Sequence, residues 1–240
     1  MMMFKRFFIL TITALFVVSA VMGQSGKSSQ EMSIEESYLQ EALELMIIHE
    51  TTRSNSRDQK YIALEHIGHA LERGSTNEEL RIALEYLSLE GTQNQVRQGR
   101  MLINNYPDIR RQAVKYLGKV GNKEAKTTLI KVCATDTEPM VLQEAVKSLG
   151  TIGLNDNDDA VNAIVWIVEK LHNSAAPNDI LAVAAIDSLE KFAQKDQRIE
   201  PGAVQLLMKI SEGPYITPVR ERARQALVKI SRYAIQGGGR

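Results

Sequence analysis

Few side chains of the types that carry out catalysis or bind metals occur in this sequence, and the first set to consider is a pair of histidines. His66 and His69 stand three residues apart, next to Glu65 and Glu72, in a stretch with helical periodicity. Two histidines at this spacing can approach one zinc ion. On a helical wheel, however, both fall on the polar side, away from the apolar residues of the same helix. The pattern therefore predicts a solvated helix face and no metal site.

The acidic run "NDNDD" at 155–159 has the oxygen-rich composition that calcium prefers. It contains no glycine at the turn position, and Trp166 stands where a closing glutamate would be needed. We therefore expect Asp156 or Asp158 to cap the helix that follows, and no calcium is predicted.

Cys133 is the only cysteine, so no disulfide can form within the chain. It lies on the same apolar stripe as Leu129, Ile130 and Val132, which predicts a buried thiol with a structural role. A reactive or intermolecular thiol is the alternative. With four histidines, one cysteine and no glycine-rich phosphate loop, the sequence predicts no catalytic residue, no cofactor and no enzymatic activity.

Trp166, the single tryptophan, is the most informative residue for binding. In "DAVNAIVWIVEKLH" it projects away from the apolar stripe, to the side of Asn162, Glu169 and Lys170. A tryptophan among polar side chains is typical of an interface anchor, because it buries a large area at low entropic cost. The alternative is that a longer neighbouring segment packs over it.

These residues lie on helices, because almost the whole chain from residue 33 onward has helical periodicity and prolines and glycines fall between the periodic blocks. The sequence predicts an all-α protein. Its predicted helices span 33–50, 57–73, 77–90, 92–105, 107–120, 123–134, 138–152, 157–172, 178–194, 201–212 and 217–234.

The predicted helices form repeating pairs. "AVKYLGKVG" at 113–121 and "AVKSLGTIG" at 145–153 are nearly the same phrase. The first helices of successive pairs align on small residues, each followed four residues later by leucine: Ala83, Ala113, Ala145, Ala185 and Ala223. A repeat of this length is typical of a helical solenoid. Gly118 and Gly150, which cost helix stability, are expected where two helices approach closely.

The phrases "PDIRRQAVKYLGKVG" and "TPVRERARQALVKI" resemble HEAT repeats, in particular the short type also found in bilin lyases. The resemblance implies a right-handed α-solenoid over residues 33–235, with about five helical hairpins and a looser N-terminal helix pair. It also implies that Arg110 and Arg220 form structural ion pairs. Asp108 and Asp136 are the candidate partners.

The same resemblance places the second helix of each pair on the inner, concave surface. Lys131 and Lys209 then occupy the position of Trp166, and Thr127, Asn162 and Gln205 lie one turn earlier. Arg97 and Met101 are expected to continue this row on the helix at 92–105. We interpret the row as a protein-binding surface: Thr127, Lys131, Asn162, Trp166, Gln205, Lys209 and Arg97.

The N-terminus has the composition of a secretory signal peptide. Lys5 and Arg6 precede an apolar run, and small residues follow it, which predicts cleavage before Gln24 or, alternatively, after Ala20. A retained membrane anchor is a further alternative. Residues 24–32 are predicted to be a flexible polar lead-in and 236–240 a disordered tail. The expected location is the periplasm, with an extracellular or anchored protein as alternatives.

The formal net charge is zero, and it falls to about −2 if residues 1–23, which carry Lys5 and Arg6, are removed. This balance argues against a nucleic-acid partner, which favours a strongly basic face. We therefore expect a scaffold that binds another protein of the cell envelope. A structural subunit of a large envelope assembly and, less favoured, a lyase-like enzyme are the alternatives.

Overall fold

A computed structural model describes residues 34–172 and 177–237 of the 240-residue chain. The predicted signal peptide and lead-in, residues 1–32, lie outside these residues, as do 238–240 of the predicted tail. The chain divides into two compact units, Met1–Glu41 and Ala42–Arg240. Within the first unit the structure describes only the start of one helix, so the repeats all belong to the second. No described helix is both long enough and apolar enough to cross a membrane.

The described residues form helices joined by short connections, with one small β-hairpin, and the predicted all-α class is confirmed. Proline occupies the first turn of four helices, and the left-handed Gly121 and Gly153 end two. The elements are α1 (Ile34–Arg53), α2 (Arg57–Glu72), α3 (Glu78–Ser88), β1 (Arg97–Gln98), β2 (Met101–Leu102), α4 (Pro107–Val120), α5 (Lys123–Thr135), α6 (Pro139–Ile152), a 3-10 turn (Asp156–Asp158), α7 (Asp159–His172), α8 (Asp179–Asp196), α9 (Pro201–Glu212) and α10 (Thr217–Gly237).

The helices stack in two rows. The first helices of the pairs, α2, α4, α6, α8 and α10, pack each against the next, and the second helices α3, α5, α7 and α9 form a parallel row behind them. One alanine in each first helix is fully buried at the same place in the stack. These alanines are Ala63, Ala113, Ala145, Ala185 and Ala223. The described array thus has four pairs, α2–α3 to α8–α9, followed by the single helix α10.

The pairing predicted around Ala83 is wrong. Ala83 lies on α3, which is a second helix, and residues 92–105 contain a β-hairpin in place of a helix. The first unit is α2–α3, where "ALEHIG" at 63–68 corresponds to "AVKYLG" at 113–118. The hairpin forms because Gly91 and Gly99 adopt positive φ angles of 70° and 61°. Gly99 opens a two-residue loop, the position at which glycine favours a tight hairpin turn.

Successive first helices approach closely at a glycine, as the sequence predicts. Ser148 Oγ of α6 donates a hydrogen bond to Val114 O of α4 at 3.1 Å. A Cβ added to Gly118 would lie 2.6 Å from Ser148 Oγ. One pair further on, Ser188 Oγ donates to Val146 O at 2.9 Å. The glycine gives space for the serine, and the serine hydroxyl links the two helices.

A buried ion pair joins each of two first helices to the segment after its second helix. Arg110, 1% exposed, donates to Asp136 Oδ2 from Nε at 2.6 Å, and Lys60 Nζ lies 3.0 Å from Glu90 Oε2. Lys60 and Arg110 both stand three residues before the buried alanine of their helix. Of the two predicted partners of Arg110, Asp136 is therefore correct.

Asp108, the other candidate partner, binds Arg57 at 2.6 Å. Arg220 forms no ion pair in the described residues. Its Nη2 donates to Thr217 Oγ1 at 3.2 Å, and its buried Nε has no partner. The reason is structural, because the carboxylate would come from a segment after a second helix, and in the described chain none follows α10.

Candidate protein-binding face

The second helices carry the predicted binding residues on one exposed side. Each of α5, α7 and α9 buries an alanine in its first turn, which fixes the rotation of the helix: Ala125, Ala160 and Ala203. Two residues after that alanine, and again six residues after it, every helix exposes a side chain. We call this surface the second-helix face, and it consists of Thr127, Lys131, Asn162, Trp166, Gln205 and Lys209.

Trp166 is 47% exposed, while Ile164 and Ile167 on either side of it are buried. The Lys170 ammonium lies 4.8 Å from the centre of its ring, a cation–π contact from the next turn of α7. No described segment packs over the indole. A tryptophan side chain has only two χ angles, and Lys170 already contacts this ring. A partner could therefore bury the ring with little loss of side-chain entropy.

An ion pair between Lys209 and Glu169 crosses from α9 to α7 and fixes the spacing of these two helices at the second-helix face. Met208, beside Lys209, is half exposed. The face thus contains an aromatic ring and charged groups, and the thioether of Met208 lies at its border. This mixture is typical of protein interfaces, in which aromatic residues and methionine are enriched.

Arg97 and Met101 do not belong to this face. Both were expected on a second helix, but they lie on β1 and β2 of the hairpin. The positive φ angles of Gly91 and Gly99 turn the backbone into the hairpin. The second-helix face of the first unit is provided by α3, where Ile82 is exposed at the position of Thr127.

Two of the residues considered for catalysis or metal binding are buried or contact other side chains of the protein. Cys133 is 1% exposed, and burial raises the pKa of its thiol to about 12, so it is protonated at neutral pH. His66 faces Glu44, with Nδ1 3.7 Å from Oε1. In residues 34–172 and 177–237, no three or more His, Cys, Asp or Glu side chains are arranged to hold a metal ion.

The acidic loop at 155–159 binds a cation that the protein itself supplies. Lys126 Nζ lies 2.9 Å from Asp156 Oδ2 and 2.7 Å from Asp159 Oδ2. Burial lowers the pKa of Lys126, but hydrogen bonds to these two carboxylates outweigh it and leave the pKa raised. The predicted cap is corrected, because Asn155 Oδ1 accepts from Val161 N, at 3.2 Å, in place of Asp156 or Asp158.

The first helices bound two grooves that the sequence interpretation missed because it considered only second helices. One of about 760 Å³ lies between α2, α4 and α6, and one of about 520 Å³ between α6, α8 and α10. In the larger groove, Tyr61 donates to Asp108, and this hydrogen bond is the main cause of the raised pKa of Tyr61. Glu144, nearly buried, lies 3.8 Å from Arg111 and 3.9 Å from Lys147.

The described residues thus define an α-solenoid: stacked helical pairs with one continuous core and two long exposed sides. The family model for HEAT repeats matches residues 101–170, which confirms the resemblance to HEAT repeats over that segment. A comparison with curated proteins finds no match.

A solved structure of similar fold is the complex of CpcE and CpcF of phycocyanin lyase from Nostoc sp. PCC7120. The likeness has a TM-score of 0.55 and 20% identity and covers 81% of this chain and 67% of that one, which supports the fold alone. A de novo designed 16-helix transmembrane nanopore, TMHC8_R, aligns over 83% of this chain and 63% of its own with 16% identity. Its TM-score of 0.24 carries no argument.

Proposed function

We propose that this protein is a scaffold without enzymatic activity that binds another protein through the second-helix face, with Trp166 as the anchor. The observation that carries the proposal is the half-exposed indole, supported by Lys170 and set between buried neighbours on a rigid helix. A repeat array suits this role, because each pair adds surface without requiring a new core. Lys131 and Lys209 would form the polar rim around the anchor.

The proposed location is the periplasm, and the proposed partner is a protein of the cell envelope. The support is the composition of residues 1–23, with Lys5 and Arg6 ahead of an apolar run. Fractionation of cells that express the full chain, with N-terminal sequencing of the product, tests this proposal. Export with Gln24 as the first residue would support it, and an intact chain in the cytosolic fraction would contradict it.

The binding proposal is tested by capture of envelope proteins on the tagged full chain. Trp166→Ala should lose the captured partner while the protein stays folded, because about half of the ring is already exposed. Ile180→Ala is the matched control, since it removes an exposed apolar side chain from a first helix. A strut that assembles through its ends would keep its partners in both variants, and loss of the folded state in Trp166→Ala, seen by circular dichroism, would assign the ring to packing.

A lyase-like enzyme is the second candidate, and two observations favour it. The fold is similar to a chain of a phycocyanin lyase complex, and the groove between α2, α4 and α6 has the volume of a small-molecule site. The Tyr61–Asp108–Arg57 cluster would be its polar group. If the protein is such an enzyme, Tyr61→Phe should abolish its lyase-like activity without affecting partner capture. If it is only a scaffold, Tyr61→Phe should change neither property.

A further inference from the structure

The connection between α3 and α4 differs from the other connections of its kind. Three residues join α5 to α6 and four join α9 to α10, whereas 18 residues join α3 to α4 and include the β-hairpin. We call residues 91–105 the hairpin insert. An ordered insert of this length in a repeat array places extra side chains on one side of the array.

Buried polar groups hold the base of the hairpin insert. Asn104 Nδ2 donates to Glu90 Oε1 at 2.6 Å, and Asn104 Oδ1 accepts from Val96 N at 2.8 Å. Glu90 also binds Lys60 and, through its backbone oxygen, accepts from Arg110 Nη1 at 3.1 Å. Since Lys60, Glu90, Asn104 and Arg110 are all buried, the insert is built onto the core of the array.

The tip of the insert, by contrast, is exposed and positively charged. Arg97, Arg100 and Met101 all face solvent, and Met101 is 72% exposed. Residues 91–105 contain these two arginines and no aspartate or glutamate. The guanidinium of Arg97 is oriented by neutral groups, with Nη2 3.0 Å from Gln95 Oε1 and Nη1 3.4 Å from Arg100 O.

Several arginines elsewhere in the array lie beside carboxylates, whereas, among the described residues, the exposed Arg53 and Arg232 do not. Arg57 lies 2.6 Å from Asp108, Arg222 lies 2.7 Å from Glu190, and Arg198 pairs with Asp158. In the described part of the chain, neither Arg97 nor Arg100 has a carboxylate partner. The tip therefore carries two guanidinium groups that no carboxylate of the described residues neutralises. The adaptable thioether of Met101 follows Arg100 and, by the strand register, lies on the opposite face of the ribbon from Arg97.

We propose that the tip of the hairpin insert binds an extended acidic segment of a partner protein, with carboxylates on Arg97 and Arg100 and an apolar side chain on Met101 at the opposite face of the ribbon. Carboxylates fit the bidentate geometry of arginine, and methionine adapts to varied apolar groups. The fixed base lowers the entropy lost on binding. This inference rests on the proposed protein-binding function and adds a second contact outside the second-helix face.

The test uses the full chain and a fluorescein-labelled octapeptide in which glutamate and leucine alternate, with fluorescence anisotropy as the readout. Wild type should bind the peptide, and more weakly at higher salt. R97E/R100E should weaken binding by about tenfold or more, because two charge-assisted contacts become repulsive. Met101→Ala should weaken it by about threefold through lost apolar contact. R53E/R232E reverses two other exposed arginines, is the matched control and should leave it unchanged.

The proposal is overturned if wild type fails to bind the peptide or if R97E/R100E binds it as tightly. Preferential binding of a uridine decanucleotide, lost in the same variant, would replace the acidic peptide with nucleic acid and would also overturn it. Because the tip contacts only solvent and its own turn, circular dichroism of R97E/R100E should match wild type. Partner capture that depends on Trp166 without peptide binding would refute the insert's role and leave the proposed function intact.

Discussion

The sharpest test of the stacking arrangement is a substitution that ordinarily strengthens a helix. In Gly150→Ala, the new Cβ on α6 would lie 2.4 Å from Ser188 Oγ, 2.6 Å from Ser188 Cβ and 2.8 Å from Ser188 Cα on α8. The last of these atoms belongs to the backbone, so rotation of the serine side chain cannot remove the conflict. The two helices must therefore move apart.

The expected loss of stability in Gly150→Ala follows from three effects. Overpacking of this kind costs about 1–3 kcal/mol. Separation of the helices also breaks the 2.9 Å hydrogen bond from Ser188 Oγ to Val146 O, which is worth about 1 kcal/mol. Alanine returns about 1 kcal/mol through its higher helix propensity. We expect Gly150→Ala to lower the free energy of unfolding by about 1–3 kcal/mol, measured by urea denaturation with far-UV circular dichroism.

Gly202 provides the matched control, because in α9 an added Cβ meets only Val165 Cγ1, at 4.0 Å. Gly202→Ala should leave the stability unchanged or raise it by up to about 1 kcal/mol. The double variant Gly150→Ala, Ser188→Gly should not return to wild-type stability, because the backbone contact remains. If Gly150→Ala raised stability as Gly202→Ala does, the helices would not be as close as described and the stacking argument would fail.

Three further predictions concern buried or ion-paired groups. Arg110→Met should lower the free energy of unfolding by about 3–5 kcal/mol, since it leaves a buried carboxylate without its cation, and the conservative Arg110→Lys should recover part of this loss in the same urea titration. Cys133 should resist a thiol reagent at pH 8 in the folded protein and react in denaturant, because burial raises its pKa to about 12; rapid labelling of the native chain would refute its burial. The hydrogen bond from Lys126 lowers the pKa of Asp156 below 3.8, so its stabilising contribution is present above about pH 3.8 and is lost as pH falls through the lowered value. In Lys126→Met, an NMR titration should return Asp156 to its ordinary pKa, while Asp158, whose pKa is lowered by Arg198, stays low.

The repeat phrase predicts the fold because its residue types specify the contact between successive first helices as well as the helix itself. Alanine permits close approach, the residue four later fills the seam, and the following glycine receives a serine from the next helix. This logic locates Ala113 and Ala145 correctly. It also identifies the first pair, since "ALEHIG" at 63–68 has the same order of residue types. The sequence interpretation selected Ala83 because it relied on spacing between units, and spacing fails wherever an insert lengthens one unit.

Hydrophobic periodicity could not predict the hairpin insert. Its base depends on Asn104, which accepts from Val96 and donates to Glu90, and these contacts join residues that hydrophobic patterns do not relate. The ion pair of Lys60 was missed for the same reason, whereas that of Arg110 with Asp136 was predicted from the resemblance to HEAT repeats. The two cations share one position in the repeat, and their carboxylates, Glu90 and Asp136, lie 30 and 26 residues downstream. A cation three residues before the buried alanine is the signal that could have identified Lys60.

The end of the array indicates which surfaces remain for binding. The residue after the buried alanine is apolar and fully buried in three first helices, at Val114, Val146 and Ile186. In α10 it is Arg224, which is half exposed and donates to Ser211 O at 3.2 Å. Val228, which is exposed, stands at the position of the glycine that receives a serine of the next helix in α4 and α6. Because Arg224 places a charged group where the other first helices bury an apolar one, we expect a partner to bind the long sides of the described array, where Trp166 and the hairpin insert are exposed.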